Sequence, residues 1–186
     1  MKLVKLVKLV IFIFILFSIN SLKAQDRELQ LSKLFNELKI NNTAFTHVVE
    51  QKIWEIWSTH PNNQKLTERL AEGSELVRNK QLLKAINIFT EVIDLDPKWA
   101  EAWNKRATVL YMMGDYKSSQ KDIDKVLELE KRHFGALAGQ GMVNIKLKNY
   151  DKAKRSYQKV QEIYPAMQSS KVMIEQIEEL IKRQSI

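Results

Sequence analysis

Three glycines in the run Gly135-x-x-x-Gly139-x-Gly141 have the spacing that most invites a chemical reading, because glycine-rich turns let backbone amides wrap a phosphate. That reading needs a strand before the run and a further glycine after it, and Asn144 stands in the glycine's place. Close packing of one helix on another is the reading these residues support. His47, His60 and His133 are too scattered for metal-ligand spacing, and with 0 cysteines in the chain no thiolate completes a site. They are read as surface or packing residues. Asp94, Asp96, Asp122 and Asp124 make acidic pairs without the spacing of a calcium loop, and no Gly-x-Ser-x-Gly elbow occurs. No catalytic residues, metal ligands or cofactors are expected, and the expected class is not an enzyme.

The elements that would carry any other function are helices. The chain of 186 residues has 5 Gly and 3 Pro among long runs of Lys, Glu, Leu and Ile, which favours an all-α domain with tight turns. The formal charge is +8, but residues 1–24 hold Lys2, Lys5, Lys8 and Lys23 and no acid. Without them, 26 basic residues face 22 acidic ones, a surplus of +4. No Lys/Arg block is dense enough for a nucleic-acid footprint, so nucleic acid is not an expected partner.

Residues 1–24 have the three regions of a secretory signal: three Lys-Leu-Val copies, the apolar run Ile11 to Phe17, and a small-residue end at Ala24. Ser18, Asn20 and Ser21 break the uncharged stretch short of the roughly 20 apolar residues that span a bilayer. The expectation is cleavage after Ala24 and a periplasmic location. Leu22, where a smaller residue is usual, keeps open the alternative of an uncleaved anchor in the inner membrane; the membrane is a partner only in that case.

Beyond residue 60 the chain repeats. Gly73, Ala107 and Gly141 are 34 residues apart, as are Ala85, Ser119 and Ala153; Phe89, Ile123 and Tyr157; Val92, Val126 and Val160; and Pro97, Lys131 and Pro165. Small residues fall where helices cross and bulky ones between them. Residues 100–133 run Ala100 to Ala107, Leu110-Tyr111, Gly114-Asp115-Tyr116, then Ser119, Ile123 and Val126. With the 34-residue period, they resemble the tetratricopeptide repeat. The flanking repeats depart from it at Arg69, Leu82, Leu137 and Asn144. The organisation expected is a signal over 1–24, a two-helix segment over 25–63, and three repeats over 64–165 (about 66–99, 100–133 and 134–167). A capping helix over 166–186 carries Val172, Met173, Ile177, Leu180 and Ile181. The fold class that follows is a right-handed solenoid of helical hairpins.

Residues 27–60 read as two helices, one with Leu31, Leu34, Phe35 and Leu38, the other with Phe45, Val48, Val49, Ile53, Trp54, Ile56 and Trp57, joined at Asn41-Asn42-Thr43. Trp54 and Trp57 are expected to pack on repeat one as an N-terminal cap. With Arg106 to Tyr111 and Arg132 to Gly139, these segments are similar to a group of small exported tetratricopeptide proteins of Gram-negative bacteria. That closer likeness implies no activity; the resemblance to the tetratricopeptide family implies a protein or peptide partner held on the inner face of the repeats.

Carried over residue by residue, that face comprises Leu70, Ser74, Val77 and Arg78; Asn104, Thr108, Tyr111 and Met112; and Ala138, Met142, Ile145 and Lys146. The family's carboxylate clamp falls here on Leu70, Ser74, Lys105, Gly135 and Gly139, so it is absent. An apolar floor with Met112 and Met142, flanked by Tyr111, Arg78 and Lys146, suits an apolar anchor with acidic neighbours.

Overall fold

A computed structural model describes residues 24–40 and 43–184. Residues 1–23 of the expected signal lie outside them, as do Asn41 and Asn42. The described residues form nine helices and no strand: α1 (residues 24–39), α2 (Thr43–Ser58), α3 (Gln64–Arg78), α4 (Leu82–Leu95), α5 (Ala100–Met112), α6 (Tyr116–Leu129), α7 (Phe134–Lys146), α8 (Tyr150–Ile163) and α9 (Gln168–Gln184). None of them is long and apolar enough to cross a membrane.

Helices α3/α4, α5/α6 and α7/α8 are hairpins closed by the same turn three times. The residues at 80, 114 and 148 all have positive φ, as Lys80 (58°), Gly114 (83°) and Lys148 (60°). In each case the next amide donates back across the turn: Gln81 to Leu76 O, Asp115 to Leu110 O and Asn149 to Asn144 O. This is the glycine-type helix stop, kept in two repeats with lysine in the left-handed conformation. Asp115 caps α6 by accepting from Ser118 N, as its position after Gly114 predicts. Within the hairpins, the Phe89 ring lies on Gly73 and the Tyr157 ring on Gly141, well inside the distance at which a Cβ would fit. Between them, Ser119 Oγ donates to Ala107 O at 2.8 Å. Ala85, Phe89, Val92, Val126, Ala153 and Val160 are fully buried.

At the C-terminal end, α9 packs Ile177 against Ala153 and Tyr157, with Met173, Ile174 and Ile181 around it. Val172, expected to help cover the repeats, is instead 48% exposed.

The N-terminal helices depart from expectation. Trp54 and Trp57 do not cap repeat one: α1 and α2 lie across the turns between repeats, and Leu31, Leu34, Phe35, Leu38, Val49 and Ile53 share one core with Phe134, Leu137, Val160 and Tyr164. The Trp57 ring stacks on His133 at 4.0 Å and 8°, and Trp54 meets the Phe134 ring edge-on at 5.3 Å. Trp99 Nε1 donates to the Trp57 carbonyl at 2.8 Å, and Tyr164 Oη donates to Glu50 at 3.1 Å. Arg132 reaches Glu28 at 2.9 Å and covers the Phe35 ring at 4.7 Å. The reason for the choice lies at the start of α7. A Cβ on Gly135 would be 2.5 Å from Trp54 Cη2, so only glycine leaves room for the ring. The equivalent place in repeat one is Thr67, with Lys65 where His133 stands.

Candidate functional site

The first helices of the hairpins, α3, α5 and α7, are neighbours along the solenoid. Between α5 and α7 lies a hollow of about 80 Å³, lined among others by Asn104, Thr108, Tyr111, Gly135, Gly139 and Met142, with Ser119 and Ile123 of α6 behind. Its walls are mostly apolar because the residues of α7 that face it are Gly, Ala, Val and Met. The Tyr111 ring is held against Tyr116 at 5.4 Å. The Thr108 hydroxyl donates to Asn104 O at 3.0 Å, one turn back on its own helix.

The twelve positions carried over from sequence separate into groups. Asn104, Thr108, Tyr111 and Met142 come together around the hollow. Met112 and Met142 are exposed at 51% and 42%, large apolar side chains open to solvent. Lys146 is exposed in the last turn of α7. Arg78 is exposed and ion-paired with Glu75 on its own helix. Leu70 is only 2% exposed, packed in the core with Phe89, so it belongs to no open face. Ser74 is half-buried and donates to the Leu70 carbonyl at 2.9 Å, and Val77 packs in the repeat-one core. Ile145 is likewise corrected: it packs toward Ala153, Tyr157 and Ile177 under α9, and Ala138 lies half-buried between two cores. The repeat register places Gly135 and Gly139 at clamp positions on this face but does not point to Ile123, which reaches the hollow from α6.

Asn104, in the wall of the hollow, also belongs to a buried polar cluster. His133 Nδ1 accepts from Ala136 N at 3.0 Å and so caps α7. With Nδ1 an acceptor, the ring proton sits on Nε2 and is donated to Glu101 Oε2 at 3.0 Å. Asn104 Nδ2 donates to the same oxygen at 3.1 Å, and Lys105 Nζ lies 3.1 Å from Oε1. Burial pushes the Glu101 carboxyl up, but the hydrogen bond from His133 and the neighbouring Lys105 charge outweigh it and hold the group below the usual carboxylate range. This cluster positions the hairpin through the His133–Trp57 stack. It commits Lys105 of α5 to an internal partner. Among the described residues, no group of three or more His, Asp or Glu is placed to hold a metal ion.

Residues 100–133 and 135–167 match the family model of the tetratricopeptide repeat. A TPR repeat-containing protein of Rhizobium etli is 34% identical over 107 residues, 58% of this chain and 52% of that protein. Hsp70-Hsp90 organizing protein 1 of Glycine max is 32% identical over 94 residues, 50% of this chain and 16% of that one. The chain thus spans about half or less of the length of these relatives. In fold it is similar to the first TPR of Spaghetti (RPAP3), solved bound to the HSP90 peptide SRMEEVD (TM-score 0.63, 19% identity, 65% of this chain and 96% of that one). The Sgt2 TPR domain of Aspergillus fumigatus gives a TM-score of 0.63 at 18% identity, over 66% of this chain and 83% of that one.

Proposed function

We propose that this chain, a tetratricopeptide-repeat protein, is an interaction module or assembly adaptor that holds a peptide segment of another protein on the inner face of its repeats. One observation carries the proposal: the hollow between α5 and α7, with Met142 open to solvent in its wall. Exposed methionine, unbranched and polarizable, adapts its shape to varied apolar surfaces. The helix pairs supply a rigid frame for it, since Gly73 and Gly141 let the two helices of their hairpins close to contact. That a neighbour of the same fold was solved with a bound peptide supports the reading.

The place of action in this proposal is the periplasm, on the strength of the basic, apolar and small-residue regions of residues 1–24. The alternative is a scaffold tethered to the inner membrane by the same residues. N-terminal sequencing of the purified protein separates them: a start at Gln25 excludes the tether, and a start at Met1 excludes cleavage. For binding itself, Tyr111→Glu with Met142→Glu is expected to abolish partner capture in crosslinked envelopes while the circular dichroism stays helical. Undiminished capture by that variant overturns the proposal.

A further inference from the structure

Four glycines of this chain lie inside helices: Gly73 in α3 and Gly135, Gly139 and Gly141 in α7. A helix-interior glycine is destabilising relative to alanine, so each calls for a compensating contact. Three of them have one. The rings of Phe89, Trp54 and Tyr157 occupy the space a Cβ would take on Gly73, Gly135 and Gly141. Gly139 differs, because a Cβ there would meet only Ile123 Cδ1, at 3.6 Å, an ordinary contact. No packing within the described chain requires glycine at this position. Gly139 lines the hollow instead, beside exposed Met142 and exposed Thr108.

We propose that Gly139 is the seat for one apolar side chain of the partner, and that the partner presents it from an internal segment and not from a chain terminus. This rests on the inner face being the binding face. The about 80 Å³ of the hollow is several times the about 10–15 Å³ that one water occupies on the same measure, room for a side chain of leucine or phenylalanine size. Charge decides the second part. Lys105 is held by Glu101, Arg132 by Glu28 and Glu130, and the Trp54 ring covers Gly135. At the five positions where the family's carboxylate clamp falls, a terminal carboxylate finds a single cation, Lys105, already committed to the buried Glu101 charge. A capped backbone carrying an apolar side chain needs no cation there.

The test uses the protein with its methionine methyl groups isotopically labelled and four synthetic pentapeptides as probes. Three are acetylated and amidated, with Leu, Phe or Ala central among serines; the fourth ends in a free carboxylate directly after Leu. The capped Leu and Phe peptides are expected to shift the Met142 methyl resonance. The Ala peptide should bind about tenfold more weakly or worse, and the carboxylate peptide more weakly than its capped counterpart. In Gly139→Leu, which fills the hollow from within, binding of the Leu peptide should fall by at least about tenfold. Thr108→Phe, which narrows the mouth from an exposed position, serves if that variant does not fold. Equal Leu-peptide binding in the filled variant and the native protein overturns the seat and leaves inner-face binding standing. No shift at Met112 or Met142 with any probe overturns both. Equal binding of Leu and Ala peptides, or of capped and carboxylate peptides, overturns the stated chemistry.

Discussion

Gly135 and Gly139 stand one turn apart on the same helix and both line the hollow, yet what would meet a side chain on each differs. Gly135 is pressed by Trp54 from α2, and Gly139 opens on a hollow. The first is the contact by which the N-terminal hairpin finds its place on the repeats. The second is the feature that the hairpin leaves open. Two residues with the same lack of a side chain therefore have different reasons, one internal to the fold and one directed outward, and only their neighbours tell them apart.

The filled side can be broken most severely through Glu101. Glu101→Ala leaves the His133 Nε2–H and Lys105 without their buried partner, and is expected to cost about 3–5 kcal/mol in denaturant unfolding, as for other broken buried pairs. The charge also sets a pH dependence. Because the folded pKa of Glu101 lies below its unfolded value, its contribution is present above the ordinary Glu range near about 4.3. It is lost as pH falls through the lower folded value. Acid unfolding curves of Glu101→Gln should lack this part of the decline; a variant curve parallel to the native one would contradict the assignment.

A smaller effect tests the ring itself. Trp54→Ala should cost about 3 kcal/mol, and Gly135→Ala about 1–3 kcal/mol by overpacking. In the double variant the Gly135→Ala penalty should disappear, since the ring it collides with is gone. A coupling near zero in that cycle would mean that Trp54 does not rest on Gly135 in solution. The open side gives the smallest change and the opposite sign. Gly139→Ala should raise stability by about 0.5–1 kcal/mol, the usual gain of alanine over glycine in a helix interior, read as a higher unfolding midpoint. A loss there would show packing at Gly139 that the structure does not contain.

The repeats were legible because their physics is local and periodic. Each 34-residue unit places a small residue at 73, 107 and 141 and a ring or branched chain at 89, 123 and 157, and each unit packs mainly on its neighbours. The stop after the first helix was legible where it is Gly114. At Lys80 and Lys148 the same turn forms without the glycine that would announce it, because the hydrogen bonds of the turn and the packing on either side decide the backbone. Of the candidate binding face, Asn104, Thr108, Tyr111 and Met142 follow from register alone. Leu70 and Ile145 do not, since their neighbours in adjoining helices bury them.

By itself, then, the order of residues determined the helical hairpins, their period and the apolar stripes that pair them, because those interactions join residues a few turns apart. Where the N-terminal hairpin docks was decided only in the tertiary structure. Glu28 meets Arg132 across more than 100 positions, and an amphipathic stripe carries no label for the surface it will meet. The choice is made by shape, with one glycine at 135 that admits an indole ring and a histidine at 133 on which a second one stacks.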